Sequence, residues 1–159
     1  MHRLAARIEW LSDAAAAVAG GATLGLTVMV ASGVVARRVF NAPFLFVEEL
    51  SGYVVLAIVF LGLAHTMRVG GHVRVEIVID SVGGALRPLL QGASLLLAGL
   101  WAVVFLLATL YQVSEYYTQR ILSFAYLQTP LWIPGSFMVV GGALLTLQCL
   151  ALLLRLRRD

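Results

Sequence analysis

The chain has 159 residues, of which 61% are hydrophobic and 12% are charged, and its mean hydropathy is +0.95. An ordinary soluble domain is about half apolar and about a quarter charged, so this composition excludes a water-soluble globular fold. The net charge is +3, and all 11 basic residues are arginines. They lie at the ends of apolar runs rather than in the clustered basic face that binding to nucleic acid requires.

Four apolar runs predict four membrane-spanning helices. They cover about residues 14–36, 50–67, 89–111 and 131–154, and a helix needs about 20 apolar residues to cross a hydrocarbon core of about 30 Å. Backbone groups in lipid must be hydrogen-bonded within the protein, and nothing here alternates like a barrel strand. We therefore expect an all-α, integral membrane four-helix protein, with residues 1–159 forming a single membrane domain.

The first run follows a short charged segment, residues 1–13. It is too long for the core of a signal peptide, so we expect a retained first span. Within it, Gly21 and Gly25 have the spacing of a small-xxx-small packing motif. Two interpretations stay open: close approach of another helix, and the ordinary glycine content of membrane helices.

The connection to the second run contains the most informative charges. Arg37 follows the first run, Pro43 lies in a short linker, and Glu48 and Glu49 open the second run. Acids at a helix N-terminus meet the positive end of the helix dipole, so both can orient this helix. Alternatively, one acid pairs with Arg37 across the short hairpin or with a partner protein, because ionisable groups at membrane depth usually have a companion.

The end of the second run carries two histidines, His65 and His72. They would share a helix face only if the helix continued through two consecutive glycines, which is unfavourable. We therefore expect no metal or haem site here. His72 and Arg74 are expected to make loop hydrogen bonds or to contact lipid head groups, and residues 75–90 are consistent with a segment lying in the membrane interface.

Around the third and fourth runs, Tyr117, Tyr126 and Trp132 suit an interfacial aromatic belt. Glu115 lies just beyond the third run and Arg120 about a turn and a half later. We interpret both as solvated charges at a helix end.

Residue types that carry chemistry are scarce. The single cysteine, Cys149, lies in the last apolar run, where it is expected to pack as a small apolar side chain. No nucleophile–base pair, phosphate-binding glycine loop or carboxylate pair can be identified, which argues against an enzyme, and we expect no cofactor. The absence of interrupted helices in repeated halves argues against a self-sufficient ion-coupled transporter.

Arginine positions predict the orientation. With four spans, both termini and the middle loop share one side of the membrane. That side holds eight arginines: Arg3, Arg7, Arg68, Arg74, Arg87, Arg155, Arg157 and Arg158. The other side holds three: Arg37, Arg38 and Arg120. The positive-inside rule therefore places both termini in the cytoplasm.

These residues combine into one pattern. It comprises Arg37, Asn41-x-Pro43, Glu48-Glu49, Phe60-Leu61-Gly62, Arg68-x-Gly70, His72-x-x-x-Glu76 and Pro130-Leu131-Trp132. In this pattern nearly the whole chain resembles the small membrane subunit, the DctQ type, of tripartite ATP-independent periplasmic (TRAP) transporters. The departures are Glu76 in place of the usual Asp, an extra glycine at Gly71, and no proline near residues 139–141.

The resemblance implies a bacterial inner-membrane subunit without transport chemistry of its own. In the family, a large subunit carries substrate and sodium, a periplasmic binding protein delivers an organic acid, and the small subunit packs against the large one. It also implies a set of structural or subunit-interface candidates. These are Arg37, Pro43, Glu48, Glu49, Gly62, Arg68, His72 and Arg74.

Three other interpretations stay open. The small subunit of a tripartite tricarboxylate transporter also has four spans, but it would lack the Arg–Pro–Glu-Glu hairpin and the Gly-x-His loop. A haem or quinone anchor of a respiratory enzyme would show a haem absorption band if haem were bound. A lone structural or signalling membrane protein would purify without partners.

Overall fold

The computed structural model describes residues 2–42, 44–69 and 86–156, and this part of the chain forms four helices. They are α1 (His2–Val39), α2 (Leu45–Arg68), α3 (Leu86–Thr118) and α4 (Trp132–Leu156). Each contains a stretch that is long and apolar enough to cross a membrane: Ile8–Val39, Leu45–Met67, Gly92–Thr118 and Trp132–Leu153. The predicted all-α fold with four membrane-length helices is confirmed.

The helices are longer than the apolar runs predicted. α1 begins at His2 rather than near residue 14, and α3 continues to Thr118 rather than ending near residue 111. An apolar run marks only the part of a helix that lies in hydrocarbon. The ladder of backbone hydrogen bonds continues past that run into polar sequence, because each added residue contributes a further bond.

The central helix of the structure is α4. α1 packs on α2, α2 packs on α4, and α4 packs on α3, while α1 makes a smaller contact with α4. The helices thus form a row in the order α1, α2, α4 and α3, in which α1 also touches α4. They do not form a closed square bundle. The end where residues 40–44 join α1 to α2 and residues 119–131 join α3 to α4 is called the hairpin end below.

The contact between α3 and α4 follows a seven-residue repeat. Buried positions at this spacing are Leu95, Ala102 and Thr109 on α3, and Gly135, Gly142 and Cys149 on α4. Seven residues make almost two helical turns, so this spacing keeps one stripe facing the partner and is typical of helices that cross at about 20°. Small residues within the stripe let the two backbones approach closely, which is how helices associate in lipid.

Among the described glycines, Gly141 makes the closest contact with a neighbouring helix, between α4 and α2. A Cβ atom added to Gly141 would overlap the carbonyl group of Phe60, with its carbonyl carbon 2.7 Å away. The Phe60 ring stacks on Phe105 of α3 at a centroid distance of 5.4 Å, and Phe105 stacks on Trp101 at 5.2 Å. Gly141 therefore allows α2 to sit against α4 while its phenylalanine reaches across to α3.

This geometry predicts the effect of a single methyl group. Gly141→Ala should destabilise the bundle by about 1–3 kcal/mol, because the Phe60 backbone must move to make room. The matched control is Gly52→Ala in α2, where an added Cβ meets no atom within 4 Å and alanine should favour the helix. Thermal unfolding in detergent measures both. Equal melting temperatures for the two variants would contradict this account of the α2–α4 contact.

Candidate functional site

The first polar contact at the hairpin end joins α1 to α2. Arg37 Nη2 lies 3.4 Å from Glu48 Oε1, and the two side chains are 62% and 76% exposed. This confirms the predicted pairing of one acid with Arg37. So exposed a pair contributes at most about 1 kcal/mol. Glu48 also lies in the first turn of α2, where the helix dipole favours an acid, so its position fits both interpretations.

The connection that brings this pair together is a tight turn. The backbone N–H groups of Phe40 and Ala42 both donate to the carbonyl of Ala36. Asn41 has φ 52°, a left-handed conformation that asparagine tolerates better than most residues. This explains why asparagine suits the position. Pro43 of the predicted motif lies outside the described residues.

The second polar contact is made by Glu49. Its Oε1 accepts a hydrogen bond from the Tyr53 hydroxyl at 2.7 Å, one turn further along α2. Its Oε2 accepts one from the backbone N–H of Leu127 at 2.8 Å, 78 residues away in sequence. The hydroxyls of Ser123 and Thr129 lie near the same carboxylate. Glu49 therefore fastens the α3–α4 connection to the start of α2.

The α3–α4 connection is itself an ordered hairpin. The N–H of Ser123 donates to the Thr129 carbonyl at 2.9 Å, and the N–H of Leu131 donates to the Ile121 carbonyl at 3.1 Å. Its tip points Phe124, which is fully exposed, away from the bundle. These backbone hydrogen bonds fix the shape of the hairpin, and the Glu49 carboxylate fixes its position against α2.

Two further polar contacts lie toward the opposite end of the bundle. His65 Nδ1 of α2 lies 3.0 Å from Asp13 Oδ1 of α1, with both side chains partly exposed. The Ser12 hydroxyl donates to Gln148 Oε1 of α4 at 3.4 Å, and both of these side chains are fully buried. Together they tie α1 to α2 and α4. Within the described part of the chain, no three His, Cys, Asp or Glu side chains are grouped to hold a metal ion.

The other predicted candidates are not brought together with the hairpin. Gly62 lies in α2, where an added Cβ would meet no atom of this chain within 4 Å. The same is true of Gly21 and Gly25 in α1. Arg68 ends α2, but its side chain lies outside the described atoms, as do His72 and Arg74 altogether.

Sequence reasoning missed the Glu49–Leu127 and Asp13–His65 contacts. In both, the partners are far apart in sequence, by 78 and 52 residues. One signal was present: Tyr53 lies four residues after Glu49, where side chains meet on a helix face. That spacing indicates a carboxylate held in a fixed rotamer, and so a defined role for Glu49.

The Glu49 contact predicts a change in local protection. Glu49→Ala should speed hydrogen exchange of the Leu127 amide at least about tenfold, because a hydrogen bond to a charged group is lost. Hydrogen–deuterium exchange of the protein in detergent measures this. Glu115→Ala is the control, since Glu115 Oε1 only accepts from Gln119 of the same segment. Unchanged exchange at Leu127 in Glu49→Ala would show that the contact does not hold the hairpin.

Comparison with known families identifies the chain. A family model described as "Tripartite ATP-independent periplasmic transporters, DctQ component" matches residues 26–159, which covers the C-terminal part of α1 together with α2, α3 and α4. No curated protein and no solved structure gives a significant match. The matched region includes the Arg37–Glu48 turn and the hairpin that Glu49 fastens. The chain therefore belongs to the DctQ family, the small inner-membrane component of TRAP transporters.

Proposed function

We propose that this chain is the non-catalytic small permease subunit that packs against and stabilises a large TRAP subunit. In this proposal the large subunit carries a small organic acid with sodium, and a periplasmic binding protein delivers the acid. The observation that carries the proposal is the family match over residues 26–159.

The polar groups inside the bundle support a structural role. Ser12 and Gln148 bond to each other, and the buried hydroxyl of Thr109 donates to backbone carbonyls of its own helix. Among the described residues, no buried side-chain nitrogen or oxygen lacks a partner. A substrate pathway through the bundle would instead need polar groups that are free to replace water around an organic acid or an ion.

The outer surface of the helices supports packing against a larger membrane protein. Large apolar side chains are exposed along α1 and α3, including Leu24, Val28, Leu97, Leu100 and Leu107. The open row of helices leaves these faces available to lipid and to other helices. Helix association in lipid requires packing and few polar contacts, so this surface suits a partner of the same kind.

The first test is purification of the tagged chain from its native membrane in mild detergent, followed by mass spectrometry. We expect a stoichiometric large permease subunit. Proteoliposomes that contain both subunits, together with the binding protein, should take up an organic acid when a sodium gradient is applied. Liposomes that contain this chain alone should take up none. Uptake by the chain alone, or recovery with a redox enzyme, would overturn the proposal.

A pair of variants tests whether the hairpin matters for assembly. Glu49→Gln should reduce the recovered large subunit, or the rate of uptake, about fivefold, because about 1 kcal/mol of hydrogen bonding to the α3–α4 hairpin is lost. Glu115→Gln, with the same change of charge, should have little effect. The ratio of the two subunits after affinity purification measures the difference. Equal effects, or none, would count against a role of the hairpin in assembly.

We also propose that both termini are cytoplasmic, on the arginine bias of eight to three. The test uses single cysteines in a Cys149→Ser background. Phe124→Cys at the exposed tip of the hairpin should react with a membrane-impermeant maleimide added to spheroplasts. Arg3→Cys should react only after the membrane is permeabilised. The reverse pattern would place the hairpin end in the cytoplasm.

A further inference from the structure

A groove opens at the hairpin end, between the end of α3 and the start of α4. It has a volume of about 530 Å³ and is open on one side. Its lining residues are Tyr117, Thr118, Arg120, Leu122, Pro130 and Trp132. Neither the family assignment nor the proposed function gives this groove a role.

The length and composition of the helices lead us to expect the groove at the height of a membrane surface. The membrane-length stretch of α3 ends at Thr118, and that of α4 begins at Trp132. The rings of Tyr117 and Trp132 meet edge to face at 5.9 Å and form one wall. Tyrosine and tryptophan are enriched where hydrocarbon meets the head groups. A molecule in this groove would therefore be level with lipid phosphates.

The groove carries one uncompensated positive charge. The described residues contain two ion pairs, Arg37–Glu48 and His65–Asp13, and Arg120 is in neither. The connection from residue 119 to 131 contains no acid. The Glu49 carboxylate, which holds the Leu127 amide of this connection, forms neither of the two ion pairs and so is not paired with Arg120. An anion in the groove would thus face the Arg120 guanidinium without a competing carboxylate of its own loop.

An apolar strip leads from the groove along α3. Val103, Leu110 and Tyr117 are spaced seven residues apart, so they lie on one face of the helix, and all three are exposed. An acyl chain has room to lie along this strip while its head group occupies the groove. A free anion would make no use of the strip, which favours a lipid over a soluble phosphate.

We propose that the groove binds the head group of an anionic phospholipid, with its phosphate on Arg120. A guanidinium donates two parallel hydrogen bonds to a phosphate, a geometry that a lysine cannot reproduce. In phosphatidylcholine the choline cation would lie close to the Arg120 guanidinium and be repelled by it, whereas the head group of phosphatidylglycerol carries no cation. The preferred ligand is therefore a lipid with net negative charge, such as phosphatidylglycerol. This proposal does not depend on the transport function.

Native mass spectrometry can test the proposal on the full chain in the complex in which it purifies. The protein is exchanged into nanodiscs that contain equal amounts of phosphatidylglycerol and phosphatidylcholine, and the lipids retained after release are counted. We expect the wild type to retain phosphatidylglycerol in preference. Arg120→Gln should lower that preference about tenfold, because a charged hydrogen-bonding partner is lost. Because each variant is compared in the same assembly, lipids bound to other subunits cancel.

Two control variants distinguish a specific lipid site at Arg120 from a general effect of positive charge. Arg38→Gln removes one arginine from the same end of the molecule but outside the groove, and it should leave the preference unchanged. Arg120→Gly covers the case in which glutamine disturbs the loop. Arg120 has φ 51°, a conformation that glycine adopts without strain, so this variant removes the guanidinium and suits the backbone. It should lose the preference as Arg120→Gln does.

Four outcomes would overturn the proposal. The first is an unchanged lipid preference in Arg120→Gly. The second is an equal loss in Arg38→Gln, which would show a general effect of charge. The third is displacement of the lipid by soluble glycerophosphoglycerol at low millimolar concentration, which would show a site for free anions. Loss of a protein partner in Arg120→Gln, with lipid retention intact, would likewise assign the groove to that partner.

Discussion

The close approach of α4 to its neighbours is the constraint on which the rest of this structure depends. In lipid there is no hydrophobic gain from bringing two apolar helices together, because the acyl chains are as apolar as leucine. Association must then come from dispersion contacts, which require backbones to lie near one another. Gly141 and Gly142 provide this on adjacent sides of one helix, the first against Phe60 and the second against Phe105. α4 can therefore hold α2 and α3 at once.

Polar contacts then fix the positions that helix packing alone does not determine. A packed stripe limits how two helices can slide, but it does not determine the position of a loop. At the hairpin end the Glu49 carboxylate accepts a hydrogen bond from the Leu127 amide. Toward the other end, the Ser12–Gln148 hydrogen bond ties α1 to the central helix. Few such bonds are needed. Ser12 and Gln148 are both buried, so neither side chain could hydrogen-bond to water in place of the other.

Much of the fold could be predicted from the sequence, since the four apolar runs follow directly from the thickness of the bilayer. The Arg37–Glu48 pair could also be anticipated, because 11 residues and a short turn separate its members. The Glu49–Leu127 contact could not, because its donor is a backbone amide and any residue type supplies one. The helices extend beyond the apolar runs for a related reason: the backbone hydrogen bonds that extend α1 to His2 do not depend on apolar side chains.

The glycines also show what could not be predicted from the sequence alone. Gly25 and Gly141 both lie in apolar runs, and the sequence alone predicts a contact with another helix equally well for both. In the structure an added Cβ at Gly141 meets the backbone of α2, while one at Gly25 meets nothing within 4 Å. What separates them is the position of the neighbouring helix, which is a property of the whole bundle.

The two acids at the start of α2 show how the surroundings of a charged side chain determine its contribution to the structure. Glu48 pairs with Arg37 in the open, where water screens the attraction and would solvate either partner alone. Glu49 faces backbone and hydroxyl groups of the α3–α4 hairpin. Its removal leaves the exposed Leu127 amide to hydrogen-bond water instead, so the bond that ties the hairpin to α2 is lost. Of two adjacent and identical side chains, the second therefore fixes the position of the α3–α4 hairpin, which contributes Leu122 and Pro130 to the groove beside Arg120.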